Sequence, residues 1–187
     1  MRLSTANAWQ FGFQREVKTV WDCEVPIIAA VNGPAYGAGC DLSMFCGIRI
    51  ASTKAVFAEN FVRVGIVSGD GGAWVLPRQI GLSRTAEMLF TGDPIDAETA
   101  LAWGLVSSVV QPDQLISEAR GLAERIAYNP PRHLRLTKRL MRQAATAHLD
   151  EILELAAIFQ GACHQTEDHA EAVDALLEKR PARFSSG

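Results

Sequence analysis

Residues 26–46, Pro-Ile-Ile-Ala-Ala-Val-Asn-Gly-Pro-Ala-Tyr-Gly-Ala-Gly-Cys-Asp-Leu-Ser-Met-Phe-Cys, constrain the fold more than any other stretch of the chain. The β-branched run Ile27 to Val31 reads as a buried strand, and Asn32-Gly33-Pro34 breaks it as a turn. Gly37, Ala38 and Gly39 carry almost no side chain, and Cys40 to Cys46 reads as a short, mostly apolar helix. A strand, a glycine-rich loop and a helix N-terminus together offer unpaired N–H groups and the positive end of a helix dipole. Such a device holds negative charge, either a phosphate or a developing oxyanion. No Gly-Lys-Ser/Thr follows, which excludes a P-loop. A dinucleotide fingerprint opens at Gly37 and Gly39 but meets Leu42 where the third glycine belongs, although Glu59 lies about where an acidic ribose ligand would sit. A tight strand-to-helix turn without a ligand is the remaining alternative.

With 187 residues the chain forms one domain, or a core plus an appendage. A net charge of −3 gives no reason to expect nucleic acid or an acidic membrane surface as partner. Cys23, Cys40, Cys46 and Cys163 show no C-x-x-C spacing and lie in apolar contexts, as reduced core thiols of a cytoplasmic protein do. No signal peptide or apolar run of spanning length is present. His164 and His169 are five residues apart, which predicts different helix faces, while His133 and His148 are isolated. No metal site is expected from that spacing, and no G-x-S-x-G elbow offers a nucleophile.

Met1 to Trp21 carries a rough helical stripe of Leu3, Ala6, Trp9, Phe13, Val17 and Val20. Gly47 to Ser52 and Ala55 to Ala58 read as two short strands around Thr53-Lys54. Gly69-Asp70-Gly71-Gly72 repeats the opening theme, with a helix from Ala73 to Ile80 that Pro77 shortens or kinks. Ser83 is expected to cap a helix to Phe90, and Asp96 one to Trp103 that Gly104 stops. Leu105 to Val110 returns as a strand. Four helices follow: Gln111 to Tyr128, Arg132 to Ala147, Asp150 to Cys163 and Thr166 to Lys179. The second is strongly basic but lacks interleaved aromatics, so it reads as a solvated face. The third is apolar nearly all round and is expected to be buried.

The chain resembles the enoyl-CoA hydratase/isomerase (crotonase) family. The residues that carry the likeness are Pro26 to Gly33, Gly37-Ala38-Gly39-Cys40-Asp41-Leu42, Ile48 to Ser52, Ala55-Val56-Phe57, Gly65-Ile66-Val67 and Gly69 to Gly72. It continues through Leu76-Pro77-Arg78, Gly81, Thr91-Gly92, Gly104-Leu105-Val106 and the closing Leu177 to Pro181. The resemblance implies an α/β fold, a spiral of β-β-α turns over residues 1–110, and a helical C-terminal region over 111–187 that trimerises. It implies an acyl-CoA substrate, with the coenzyme A carried by that substrate and no cofactor of the protein's own.

As implied by the same resemblance, a backbone N–H at Ala38 forms part of an oxyanion hole for the thioester carbonyl. Tyr36, Gly37, Gly39, Phe61 and Gly69 lie at the substrate. Typical hydratases carry Glu where Asp41 and Phe61 stand, so plain hydration is not the expected reaction. Asp70 and Asp41 are the candidate acid/bases, with Glu59 in reserve on the same face as Phe61 if the chain stays extended there. Capping or dipole roles are the alternative for both aspartates. The family's first strands, and a loop giving a second oxyanion N–H, have no match in residues 1–21. A shortened, poorly catalytic member is therefore expected, and a non-catalytic scaffold or fragment is the alternative function.

The resemblance, together with the apolar surface of residues 151–159, predicts a homotrimer or a hexamer of paired trimers. Light scattering at micromolar concentration should give at least three times the protomer mass; a monomer would refute the assembly.

Overall fold

The computed structural model describes residues 12–185. They divide into two compact units. One holds the residues up to Cys23 together with Ile27–Gly121, and the other holds Glu24–Pro26 and the chain from Leu122 onward.

The first unit opens with helix α1 (Phe13–Asp22) and then lays down paired short strands. β1 (Ile28–Val31) is followed at once by β2 (Pro34–Tyr36), and β3 (Ile48–Ser52) by β4 (Val56–Ala58). β1 pairs in parallel with β3, and β2 in parallel with β4. Each β-β step therefore feeds one strand into each of two sheets, which is how the chain spirals. β5 (Ile95–Asp96) adds antiparallel to β4, and β6 (Ser108–Val110) adds parallel to β3. Two three-stranded sheets result among the described residues, in the orders β1-β3-β6 and β2-β4-β5. This agrees with the spiral of β-β-α turns implied by the resemblance. Two corrections apply. Asn32-Gly33-Pro34 leads straight into β2, and β1 is only half-buried at all four positions.

Helices fill the steps between strands: α2 (Ala38–Phe45), a 3-10 turn (Asn60–Val64), α3 (Gly72–Ile80), α4 (Leu82–Thr91) and α5 (Ala97–Trp103). Asp96 caps α5 by accepting from the Thr99 N–H at 2.8 Å, and Gly104 ends it at φ 80°. Ser83 caps nothing. Gly81 stands at the N-cap of α4, two residues earlier, and the backbone turns there at φ 79°. The core of this unit gathers Met44, Phe57, Leu76, Met88 and Leu105 around the small residues Ala51, Ala55 and Ala100. Small residues at the strand crossings let the layers approach closely.

One buried cation holds three elements in place. Arg49, on β3, donates from Nε to the Leu105 carbonyl at 2.6 Å. Its Nη1 donates to the Cys46 carbonyl at 2.7 Å and the Met44 carbonyl at 3.3 Å, at the C-terminal end of α2. That end carries the negative pole of the helix dipole, which suits a guanidinium. Burial lowers the pKa of Arg49 from its ordinary value.

In the second unit α7 (Pro131–Ala144), α8 (Leu149–His164) and α9 (Glu167–Glu178) follow the end of α6 (Leu115–Ala127). Thr166 caps α9 through the His169 N–H at 3.1 Å. Arg180 grips Glu171 with two N–H groups at 2.6 and 2.9 Å, fastening the C-terminal segment back on α9. The expected burial of α8 is overturned within the chain. No residue of α8 is buried, and Leu149, Leu153 and Ile158 are exposed, Leu149 by 72%. His164 and His169 also depart from expectation, with ring centroids 4.7 Å apart. The helix stops at Gln165 and restarts at Thr166, so the two rings meet at a corner instead of following one helix.

Replacing Arg49 by Met keeps the apolar stem but takes the guanidinium donors from the Leu105 and Cys46 carbonyl oxygens, while that of Met44 keeps Gln79 Nε2 at 2.9 Å. The cost should be on the order of 2–4 kcal/mol of unfolding free energy. A urea midpoint within error of wild type would show that Arg49 is dispensable.

Candidate functional site

The two glycine-rich turns, Gly37 to Gly39 and Gly69 to Gly72, are separate in sequence but come together in the first unit through α2 and the start of α3. Gly37 stands at the N-cap of α2 with φ 51° and ψ −118°, where a side chain is strained. Its N–H donates to the Ala58 carbonyl at 2.8 Å, tying the loop to the end of β4. The first intrahelical bond runs from Asp41 N–H to the Gly37 carbonyl at 2.9 Å. The N–H groups of Ala38, Gly39 and Cys40 precede that ladder, as the first turn of a helix requires.

Phe61 is buried, and its ring lies against this loop: a Cβ on Gly37 would stand 3.3 Å from Phe61 Cζ. The aromatic ring thus fills the space beside the glycine-rich loop. Tyr36 is exposed on the outer side of β2.

Asp41 points from α2 towards the second turn. Its Oδ2 accepts from Ser68 Oγ at 3.4 Å, and Gly72 is so close to Oδ1 that any Cβ there would collide with it. Gly72 is therefore required by close approach, not by its backbone angles. Asp41 is fully buried, as is Glu59, and the two carboxyls face one another and the Cys40 thiol. Both Glu59 oxygens and Oδ1 of Asp41 lack a hydrogen bond of ordinary geometry. Burial pushes Asp41 up to about 6, against the contact with Glu59, which works the other way. Burial, and then the charge of Asp41, pushes Glu59 up to about 9. At neutral pH Glu59 keeps its proton. The extended path from Glu59 to Phe61 is also corrected: a 3-10 turn starts at Asn60, which sends the Glu59 carboxyl to α2 and the Phe61 ring to Gly37.

Asp70 is placed differently. It is 2% exposed, and neither carboxylate oxygen has a hydrogen-bond partner among the described residues. The capping alternative fails, since Gly71 is the N-cap of α3 and no side chain caps that helix. Asp70 instead lines a cleft of about 360 Å³ with Gln14, Val17, Trp21, Phe45, Gly69 and Trp74. Burial, then the nearby charge of Glu16, raises its pKa above the ordinary carboxylate value. Gln14 Nε2 donates to the Gly69 carbonyl at 2.9 Å and fixes the turn against α1.

Of the residues singled out in the sequence, Gly69 and Asp70 line the cleft, and Asp41 touches Gly72 at the head of α3. Ala38, Gly37, Gly39 and Phe61 form the adjoining loop, and Tyr36 stands apart. The sequence reading missed the aromatic wall, Trp21, Phe45 and Trp74. No motif marks these three, because they come from three helices far apart in the chain. Among the described residues no group of three or more His, Cys, Asp or Glu is placed to hold a metal, and no helix is long and apolar enough to cross a membrane. Of the four free thiols only Cys40 is buried; Cys23, Cys46 and Cys163 are half-exposed, not core residues as expected.

A raised carboxyl pKa makes stability depend on pH with a definite sign. Glu59 contributes most below its ordinary 4.5, and that contribution is lost as pH rises towards about 9. Glu59→Gln, which imitates the protonated acid, should melt about 5–10 °C above wild type at pH 9 and close to it at pH 5. Parallel pH profiles of the two melting temperatures would remove the buried acid from the account.

Residues 2–187 match the family described as Enoyl-CoA hydratase/isomerase. The chain is 39% identical over 186 residues to a crotonyl-CoA hydratase of Syntrophomonas wolfei, covering 98% of this chain and 72% of that protein. It is 40% identical over 157 residues to a short-chain-enoyl-CoA hydratase of Clostridium acetobutylicum, covering 84% of this chain and 60% of that one. The solved enoyl-CoA hydratase of Bacillus anthracis superposes with a TM-score of 0.92 at 33% identity, over 97% of this chain and 70% of that structure. A family match over nearly its whole length, with relatives about 40% identical and a shared fold, makes this chain a member of the enoyl-CoA hydratase/isomerase family.

Proposed function

We propose that the protein acts on acyl-CoA thioesters and shifts a carbon–carbon double bond by way of a thioester enolate. The observation that carries this reading is Asp70, a buried carboxyl with both oxygens unengaged on the wall of a cleft. An acid in that setting is desolvated and ready to exchange a proton with a ligand. It would take a proton from the carbon next to the thioester carbonyl, leaving an enolate. The N–H at Ala38 would stabilise the enolate oxygen, a preorganised donor commonly being worth a few kcal/mol of barrier. Return of the same proton two carbons further along moves the double bond into conjugation. Such a step needs no metal or redox group, only the coenzyme A the substrate brings.

Asp41 supports the site from behind. Its contact with Gly72 and its proximity to protonated Glu59 keep one negative charge near the head of α3. Phe61 favours proton shuttling over addition of water, since its ring occupies ground where a second carboxylate would hold that water. Hydration is the second reading, supported by the names of the Syntrophomonas and Clostridium relatives. The exposed apolar side chains of α8, Leu149, Leu153 and Ile158, support assembly with further copies, a trimer or a hexamer. Absence of a spanning helix among the described residues is compatible with a cytoplasmic location.

Asp70→Asn keeps shape and removes the proton carrier. Turnover of a 3-enoyl-CoA should fall by about a hundred- to ten-thousandfold while crotonyl-CoA still binds. Turnover within about threefold of wild type, too small for a lost acid/base, would reduce Asp70 to a structural residue.

A further inference from the structure

We infer that the cleft selects a flat aromatic acyl group, an aryl-conjugated enoyl-CoA, over a short aliphatic one; this deepens the acyl-CoA reading above and rests on it. Three rings from three helices form its wall. Phe45, at the end of α2, and Trp74, on α3, lie nearly parallel, 7° apart, with centroids separated by 6.3 Å. Trp21, on α1, meets both almost at right angles, at 89° and 85°, with centroids 5.9 and 5.2 Å away. Planes set at a right angle make an interior corner. A flat ring entering it can stack on one wall while presenting its edge to the other, the two arrangements aromatic rings prefer. A saturated or four-carbon chain gains only buried area there.

Two of the three rings are held in place. The guanidinium of Arg78 lies over the Trp74 ring, 4.1 Å from its centroid. Phe45 is seated on Gly71, so closely that a Cβ there would stand 2.7 Å from Phe45 Cζ. A rigid corner gives selectivity because a ligand need not order it on binding. Size points the same way. A space of about 360 Å³ takes on the order of a dozen non-hydrogen atoms, at roughly 30 Å³ each. A crotonyl group leaves most of that unfilled, whereas a phenylpropenoyl group fills nearly all of it. Among the described lining residues the ionisable ones are Asp70 and Lys18, Lys18 pairing with Asp22 at 2.8 Å, and the rest of the lining is mainly apolar and aromatic.

The test is calorimetric binding of cinnamoyl-CoA, crotonyl-CoA and free coenzyme A to the full chain, wild type and variants. Cinnamoyl-CoA should bind about tenfold more tightly than crotonyl-CoA. Trp21→Leu and Trp74→Leu should each weaken cinnamoyl-CoA about three- to tenfold and crotonyl-CoA less than twofold, with Trp21→Phe restoring most of the loss. Equal affinity for the two esters, or parallel losses in the variants, overturns the aryl preference and leaves the acyl-CoA reading standing. Failure of either ester to bind better than free coenzyme A overturns both.

Discussion

A buried guanidinium with carbonyl oxygens as its acceptors sets the frame on which the rest of the first unit depends. Arg49 sits on the central strand of one sheet and reaches both the C-terminal end of α2 and the carbonyl of Leu105, just ahead of β6. A cation taken out of water needs compensation in full, and here three carbonyl oxygens and a helix dipole supply it. The same helix begins at Ala38, so its negative pole is anchored while its positive pole faces the glycine-rich loop. Position along β3 and aim of the glycine-rich loop are thereby one geometric fact.

The second element of order is close contact between the two glycine-rich turns. Asp41 meets Gly72, and Phe45 meets Gly71. Acidic groups accumulate at this junction, and three carboxyls within a small volume cannot all ionise at neutral pH. Glu59, as fully buried as Asp41, is pushed furthest up by burial together with the charge of Asp41, and leaves the negative charge to its neighbours. The junction thus sorts its carboxyls by burial and mutual repulsion, with one neutral acid behind and one solvent-poor carboxyl on the cleft.

Much of this was legible in the chain wherever the signal was local. The central glycine-rich stretch announced a strand, a loop and a helix N-terminus, and Asp96 with Gly104 marked both ends of α5 as capping chemistry requires. What escaped depended on tertiary contact or on turns too short to show a period. β2 is three residues long and begins with proline, so it reads as loop. Asp70 satisfies every local rule for an N-cap, yet Gly71 takes that position and leaves the carboxyl free to face the cleft. Glu59 is turned inward by a 3-10 helix that a sequence cannot distinguish from a continued strand. His164 and His169 meet because α8 ends at His164 and α9 starts at Glu167 in a new direction, a break invisible to helical spacing.

The contacts at Gly71 and Gly72 also divide the pocket into a part that can drift in evolution and a part that cannot. Neither glycine can acquire a side chain without displacing Phe45 or Asp41, so the turn that presents Asp70 is closed to gradual substitution. Val17 and Trp21 lie on α1, across the cleft, and belong to no such backbone contact. Changes in the shape of the cleft should therefore enter through the face of α1, leaving the turn that carries Asp70 unchanged. In this arrangement one wall is fixed by its backbone contacts and the other is open to substitution.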